Sequence, residues 1–481
     1  MSDALNLLTD LQIQQFIVNG YLIVQADDVP DLHARIRQTI EDVYETEGNL
    51  GNNILPRIPD IARVFEHPNV AGALISLLGP DYILNPHRHG HLNPPGGSGQ
   101  KWHKDCYVYD HNIRHPRFDW ILAFYYPQDT TDDMGPSGIL PQTQFQRFIS
   151  DSDATKTTEE PLSICGAAGT VALIHFDSWH RATANTSEQN RYMLKFQFAR
   201  TREPDTPTWD HRSPAWSPGI EDPHPAISQN VWDWLCGRMD RRPSIEGETL
   251  VDLADRLSSD SEPVRLDAAY RLVGFGEEAI QPLVDAMRAE SIANIDETTA
   301  KPADNLHGTN PTTGCATQGL TAIGPSAIPA LERVISEDDH WWVRAVATNA
   351  LSRMGRQAAP AAATLIQAAD DDHWWVRRNA IEALGRLDEP RETIIAAVAT
   401  ALADKDYRVR RAAALAVIKI GPAAAPAVNA LVPLLDDENR YNRFYSELAL
   451  RRIGTPEAND ILLDALFTAR WCPVTTKDDR F

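Results

Sequence analysis

Apolar residues at Leu5, Leu8, Leu11, Ile13 and Phe16 give a partly amphipathic stretch and predict a helix over 5–18, with a second over 30–47. From about residue 82 the pattern changes to short apolar runs parted by Pro/Gly turns. Tyr82–Leu84, Trp120–Tyr126, Val171–Ile174 and Arg191–Phe198 all read as strands. Several short strands at such spacing imply a sandwich or barrel, and a double-stranded β-helix (jelly roll, cupin-like) with flanking helices is one such solution. Residues 201–248 are rich in Pro and Trp and read as a linker or packing segment. Within it, Val231-Trp232-Asp233-Trp234-Leu235 begins a short connecting helix.

The second half is periodic. Val343, Val376 and Val409 lie 33 residues apart, each followed by arginine (Arg344, Arg377, Arg410). The copies read Asp-Asp-His-Trp-Trp-Val-Arg at 338–344 and 371–377, and Asp-Lys-Asp-Tyr-Arg-Val-Arg at 404–410. Each runs into an Ala/Leu-rich helix, then a glycine (Gly355, Gly385, Gly421, Gly454), then a second Ala/Pro-rich helix. Gly after one helix and Pro early in the next are stop and start signals. Weaker copies begin near Val264-Arg265 and turn at Gly324-Pro325, parted by an irregular insertion at about 291–310, and a last copy spans roughly 436–470. The series resembles HEAT repeats of the short PBS-lyase-like period. Stacked units of this kind bury a continuous core and offer an extended concave face. The expected organisation is therefore multidomain: an N-terminal domain over 1–205, a Pro/Trp-rich linker and connecting helix over 206–248, an all-α HEAT-like solenoid over 249–470, and a tail over 471–481.

At 481 residues, with 43% hydrophobic and 23% charged residues, the chain fits a globular protein of roughly two to four domains. No apolar run is expected to approach the roughly 20 residues that cross a bilayer. Met1-Ser2-Asp3-Ala4 lacks the basic and apolar regions of a secretory signal. The five cysteines (Cys106, Cys165, Cys236, Cys315, Cys472) are scattered, without a CxxC pattern, so a reducing cytoplasm is expected. The net charge is −22, with no basic stripe for phosphates. Nucleic acid and membrane are disfavoured as partners, and a small-molecule substrate is expected.

Candidate chemistry centres on His103-Lys104-Asp105, with His180 75 residues beyond Asp105 and then Arg191. Side chains at i and i+2 of a strand share a face, so His103 and Asp105 can converge. A second histidine from a distant strand would complete two imidazoles and a carboxylate, a set that holds Fe(II) with open positions opposite. A turn at Asn185-Thr186-Ser187 would bring Arg191 back beside His180, where its forked guanidinium could grip a carboxylate.

The segment Gln100-Lys101-Trp102-His103-Lys104-Asp105 is similar to the first metal-binding strand of the phytanoyl-CoA dioxygenase family. Gly135-Pro136-Ser137-Gly138-Ile139-Leu140-Pro141 resembles that family's glycine-to-proline strand, and Gly169–Thr186 with Arg191 its distal motif. The resemblance covers roughly residues 10–200. It implies an Fe(II)- and 2-oxoglutarate-dependent dioxygenase consuming O2, with His103, Asp105 and His180 as iron ligands and Arg191, eleven beyond the distal histidine, binding the far carboxylate of 2-oxoglutarate. It further implies hydroxylation of an organic substrate, with 2-oxoglutarate converted to succinate and CO2. Retention of Asp105 favours hydroxylation, because related halogenases lose this carboxylate.

Two departures stand out. Gln142-Thr143-Gln144 replaces the usual Gly-Ser/Thr-His, and Ala182 replaces a small hydroxyl residue that Thr183 could supply as a cofactor contact. Arg181 and Lys195 are alternative holders of the distal carboxylate.

Other readings attach to nearby residues. His175 rivals His180 but ends a buried run, which suits a core residue. In His87-Arg88-His89-Gly90-His91, alternation places the histidines on one face without an acidic partner. His89 and His91, with Trp102 and Phe124, are candidate pocket residues. Trp341-Trp342 and Trp374-Trp375 suit solenoid packing, or a ligand ridge. The array could recruit a protein partner or a carrier- or protein-bound substrate, or only stabilise the domain. It is expected to contribute no ligand to iron or 2-oxoglutarate. The competing class is a HEAT-repeat scaffold protein with a weak or inactive oxygenase domain, and a third is a cupin-like metal enzyme that does not use 2-oxoglutarate. No basic cluster suits the phosphates of CoA, so the family name does not define the substrate.

Overall fold

The computed structural model describes residues 4–468 except 28, 30, 50, 106–110, 147–160, 301–309, 312–313 and 388–391. Cys106, Cys472, the tail 471–481, Pro30 and most of the second half of the insertion at 291–310 lie outside the described residues. Two compact units emerge, Met1–Ala327 and Ile328–Phe481.

Among the described residues the first unit holds nine strands: β1 (Tyr21–Gln25), β2 (Ile83–Leu84), β3 (His89–Asn93), β4 (Trp120–Tyr125), β5 (Ser137–Ile139), β6 (Leu162–Ser163), β7 (Thr170–His175), β8 (His180–Ala182) and β9 (Arg191–Ala199). They form two antiparallel sheets, one ordered β1-β7-β4-β9-β2 with β3 also on β9, the other β6-β5-β8. Strands β4, β7 and β9 are buried along their whole length, which is why they read as continuous apolar runs rather than alternating ones. Alternation still divides their side chains. Ile121, Ala123, Tyr125, Val171, Leu173, Leu194, Phe196 and Phe198 join one core cluster with Ile13, Phe16, Ile36, Leu74 and Trp232 from the helices Asp10–Asn19, Leu32–Thr46, Pro68–Leu78 and Pro225–Leu235. The intervening residues face the other way.

The first helix begins at Asp10, not near residue 5. Thr9 and Gln12 form a capping box, which satisfies orphan N–H groups and fixes the start; Leu5 and Leu11 are exposed. The Asp10 carboxylate accepts from Trp209 Nε1 at 2.7 Å, His211 Nδ1 at 2.6 Å, and the backbone N–H groups of Arg212 and Ser213, both at 2.8 Å. This clip ties the Pro/Trp-rich segment to the first helix, and Trp209, Trp232 and Trp234 are buried in the same core. The segment therefore packs as part of the sheet domain. Helices Leu250–Arg256, Glu262–Leu272, Ile280–Ala300 and Cys315–Ile323 belong to the same compact unit.

In the second unit the repeated Val-Arg has a clear cause. Arg344 pairs with Asp371 at 2.8 Å, Arg377 with Asp404 at 2.7 Å and Arg410 with Asp437 at 2.6 Å. Each arginine also donates to carbonyls of its own loop, as Arg377 Nη1 does to Asp371 and Asp372 at 2.9 and 3.0 Å. One side chain thus ties a loop to its helix and to the next repeat. Trp342 and Trp375 enter the core, while Trp341 stacks on His373 at 3.5 Å and the Arg408 guanidinium lies 3.5 Å over Trp374. Gly385 has ordinary helical φ/ψ; its need is space, since a Cβ there would meet Ala416 Cβ at 2.6 Å.

One stretch, Tyr407–Asp436, is long and apolar enough by composition to cross a membrane, contrary to the expectation of no such run. It is broken at Gly421 into separate helices of the array and carries Arg408, Arg410, Arg411 and Lys419.

Replacing Asp404 by alanine leaves the Arg377 guanidinium, whose side chain is 6% exposed, without its carboxylate. A loss of about 3 kcal/mol is expected, read as a lower denaturant midpoint by circular dichroism. A midpoint equal to wild type would show that the ladder does not stabilise the array.

Candidate metal centre

His103 and His180 exchange backbone hydrogen bonds, N–H to O=C at 3.0 and 3.1 Å, an isolated antiparallel bridge. Only His103 of the segment 101–105 makes such a bridge, so the expected strand there is a single ladder rung in an otherwise irregular segment. On its other side His180 pairs with Ile139 of β5. The bridge places the two imidazoles 4.6 Å apart between centroids, tilted by 54°. His103 Nδ1 lies 2.9 Å from the carbonyl of Lys101, and His180 Nδ1 3.1 Å from that of Ser178. A carbonyl only accepts, so each Nδ1 carries the proton and each Nε2 keeps its lone pair. Burial holds His180 at about 4, below its ordinary value, with Asp105 opposing the shift. A neutral imidazole is the state a metal needs.

Ligand atoms of His103, Asp105 and His180 all lie within 4.8 Å of one another. This donor set fits one divalent ion: two lone-pair nitrogens with fixed tautomers, and a carboxylate. Lys195 Nζ lies 2.9 and 3.2 Å from the two oxygens of Asp105, so the carboxylate is already paired with a cation. Lys195 was legible only as an alternative holder of 2-oxoglutarate; its place four residues after Arg191 on one strand puts both on the same face.

Arg191 is 1% exposed. Its Nε donates to the carbonyl of Gly135 at 2.9 Å, while Nη1 has no hydrogen-bond partner among the described residues. An unfilled buried guanidinium donor is costly, and an anionic ligand would fill it. Gly135 makes the arrangement feasible: its φ is +69°, and a Cβ would lie 2.4 Å from Asn93 Nδ2 and 2.7 Å from the carbonyl of Thr183.

Strand β3 pairs with β9 so that His89 lies opposite Lys195, His91 opposite Met193 and Asn93 opposite Arg191. Gly90 turns to Tyr44 in the helix layer, which leaves His89 and His91 on the metal face, their rings 4.7 Å apart. Burial and Lys195 hold His91 down at about 2. Phe124 meets the His180 ring edge-on at 5.6 Å. The structure thus gathers His89, His91 and Phe124 near the triad. Trp102 and Thr183 are not brought to it: both lie with Arg181 over Gly138, on the outer side of the small sheet. The Thr183 hydroxyl donates to the carbonyl of Pro136 at 2.7 Å. Arg181 is likewise turned outward, 4.5 Å over the Trp102 ring. Gln144, one of the departures noted above, donates to the carbonyls of Ile17 and Val18 at 2.9 and 3.0 Å and so closes the end of the first helix.

His175 shares its side of β7 with Val171 and Leu173, facing the helix layer. Its ring meets Phe118 edge-on at 5.7 Å. It stands outside the ligand cluster.

Residues 19–193 match the phytanoyl-CoA dioxygenase (PhyH) family and residues 362–443 the HEAT repeats; the chain carries a domain of the first and repeats of the second. None of the curated proteins compared with it matches. Among solved structures it is similar to HygX from Streptomyces hygroscopicus, with nickel and 2-oxoglutarate bound, at 14% identity and TM-score 0.35, covering 40% of this chain and 88% of that one. It is also similar to EctD from S. alaskensis with 2-oxoglutarate and 5-hydroxyectoine, at 16% and 0.36, covering 46% and 87%. A third is the non-haem alpha-ketoglutarate-dependent carbocyclase SnoK from nogalamycin biosynthesis, at 16% and 0.33, covering 40% and 85%.

Two measurements follow from the geometry. His180→Ala should abolish stoichiometric divalent-metal binding in a titration, whereas His175→Ala should retain it; the reverse result would reassign the ligand. Burial also holds His175 at about 4, below the ordinary 6.5. It is neutral in the fold and gains a proton on unfolding below pH 6.5. Its share of stability is therefore intact above about 6.5 and is lost as pH falls towards 4, by at most about 3 kcal/mol. The thermal midpoint of the metal-free protein should fall less steeply between pH 7 and 4.5 in His175→Asn than in wild type. Equal slopes would remove His175 from the acid response.

Proposed function

We propose that this chain is an Fe(II)- and 2-oxoglutarate-dependent oxygenase that hydroxylates a small organic substrate in a reducing cytoplasm. The observation that carries the reading is one buried face holding both a two-histidine, one-carboxylate donor set and an arginine with an unfilled donor. The family match over residues 19–193 supports it. We read the two antiparallel sheets as halves of a double-stranded β-helix, and keep the division into an oxygenase domain over 1–205, a connecting segment over 206–248, an array over 249–470 and a tail over 471–481.

His103 Nε2, His180 Nε2 and the Asp105 carboxylate would hold the iron, and Arg191 would receive the far carboxylate of 2-oxoglutarate. When bound, iron supplies dioxygen activation at the expense of the 2-oxo acid, which leaves as succinate and CO2. The chain's own part is placement. The Lys101 and Ser178 carbonyls hold both imidazoles in one tautomer. Lys195 pairs with Asp105 and would share it with the metal. Arg191, anchored on Gly135, offers its remaining donors to an anion in a dry setting, where such a contact is strong. Phe124 and Met193 exclude water, while His89 and His91 stand where substrate would approach. The array would present a partner or a carrier-bound substrate, or brace the domain.

The test is turnover by the full chain. With Fe(II), 2-oxoglutarate and dioxygen, succinate should form, and none should form with His180→Ala; failure of wild type under anaerobically reconstituted iron would sink the reading. Arg191→Lys keeps the charge and loses the fork. It should raise the 2-oxoglutarate concentration for half-maximal turnover roughly tenfold to a hundredfold and leave metal affinity unchanged. An unaltered requirement would move the role to Arg181 or Lys195.

A further inference from the structure

Between the two ligands of the first segment sits Lys104, only 5% exposed. Nothing in a two-histidine, one-carboxylate set asks for a buried cation at that position, and a buried ammonium is costly unless it is paired. Its partner lies on the other ligand-bearing loop. Lys104 Nζ donates to Asp177 Oδ2 at 2.6 Å, with side chains 2% and 8% exposed, and Asp177 Oδ1 takes Arg114 Nε at 3.2 Å. The same ammonium lies 5.7 Å from the centroid of Trp179. On the far side of the histidine row, the Arg181 guanidinium covers Trp102 at 4.5 Å. Trp102 and Lys104 flank His103, while Trp179 and Arg181 flank His180. Every flanking side chain is thus clamped to the opposite segment, and the two cations come from opposite sides. Backbone pairing between the segments is sparse around His103 and His180, so the side chains must supply the rest of the registration.

We propose that the Lys104–Asp177 ion pair is a positioning device that fixes His103 and Asp105 against His180 before metal binds. Lys104 and Asp177 are positioning residues; neither is a ligand. The inference rests on the reading of His103, Asp105 and His180 as a metal site.

The full chain, stripped of metal, is titrated with Co(II) alone, well below its unfolding temperature. Affinity comes from calorimetry and coordination from the ligand-field absorption of the bound ion. Lys104→Met, which keeps the volume and removes the charge, should lower Co(II) affinity at least tenfold and alter the absorption spectrum, while far-ultraviolet circular dichroism stays native. Lys104→Arg should recover part of both. The double variant Lys104→Met/Asp177→Asn removes both charges of the pair and keeps an amide oxygen to which Arg114 can donate. If that neutral pair binds Co(II) with wild-type affinity and spectrum, the ion pair does not position the ligands and the proposal falls. It falls equally if the variants lower only the thermal midpoint. Failure of wild type to bind one Co(II), or equal binding by His180→Ala, would instead overturn the metal site on which the inference rests.

Discussion

His103 and His180 stand opposite each other because their backbones exchange two hydrogen bonds, and such an exchange fixes more than a distance. It also decides which way every neighbour points. With both histidines on one face, Trp102, Lys104, Trp179 and Arg181 are driven to the other, and the carbonyls of Lys101 and Ser178 come within reach of the imidazole Nδ1 atoms. Tautomer, spacing and outer clamp are therefore one constraint. His175 escapes it, since it ends β7 on the helix side and the chain turns through 176–179 before β8 begins. A histidine five residues before His180 is in this fold a core residue, held neutral by burial.

The larger sheet supplies the other half of the site by the same rule of alternation. From β9, Arg191 and Lys195 face the triad while Tyr192, Leu194 and Phe196 face the helices. That strand is buried on both sides, and burial on both sides erases the hydrophobic alternation by which facing is read from sequence. The grouping of His103, Asp105 and His180 and the long apolar strands were legible because chemistry or length marks them. The faces were not. Trp102 and Thr183 stand within three residues of His103 and His180 in the chain yet lie on the outer side, and the ion pair from Lys104 to Asp177 joins positions 73 residues apart that no local pattern links. The strands of two to five residues, β1, β5, β6 and β8 among them, are too short for periodicity to show.

The repeats were the most legible part for a physical reason. One arginine satisfies its own loop carbonyls and the aspartate 27 residues on, so each copy must conserve both ends of the bond within itself. The pattern fails where the second end is missing. Arg443 still donates to the carbonyl of Asp437 at 2.6 Å, but the residue 27 beyond it is Arg470.

The first copy departs in the same way and to a different end. Arg265 reaches the carbonyl of Ser259 at 2.6 Å, the same loop contact that Arg344 makes to Asp338. Twenty-seven residues on stands Ile292, and the lateral partner is instead Glu290, at 3.7 Å. Freed from the ladder, the helix Glu262–Leu272 packs on Pro225–Leu235 within the sheet-bearing unit. On the latter helix Asn230 accepts from the buried Arg117 guanidinium at 3.1 and 3.2 Å, and burial lowers the Lys104 pKa, opposed first by Asp177 and more weakly by Glu262. The first repeat, which lacks that lateral bond, packs instead on a helix of the sheet-bearing unit. Its sequence is irregular because it answers to the sheet domain as well as to its own helical neighbours.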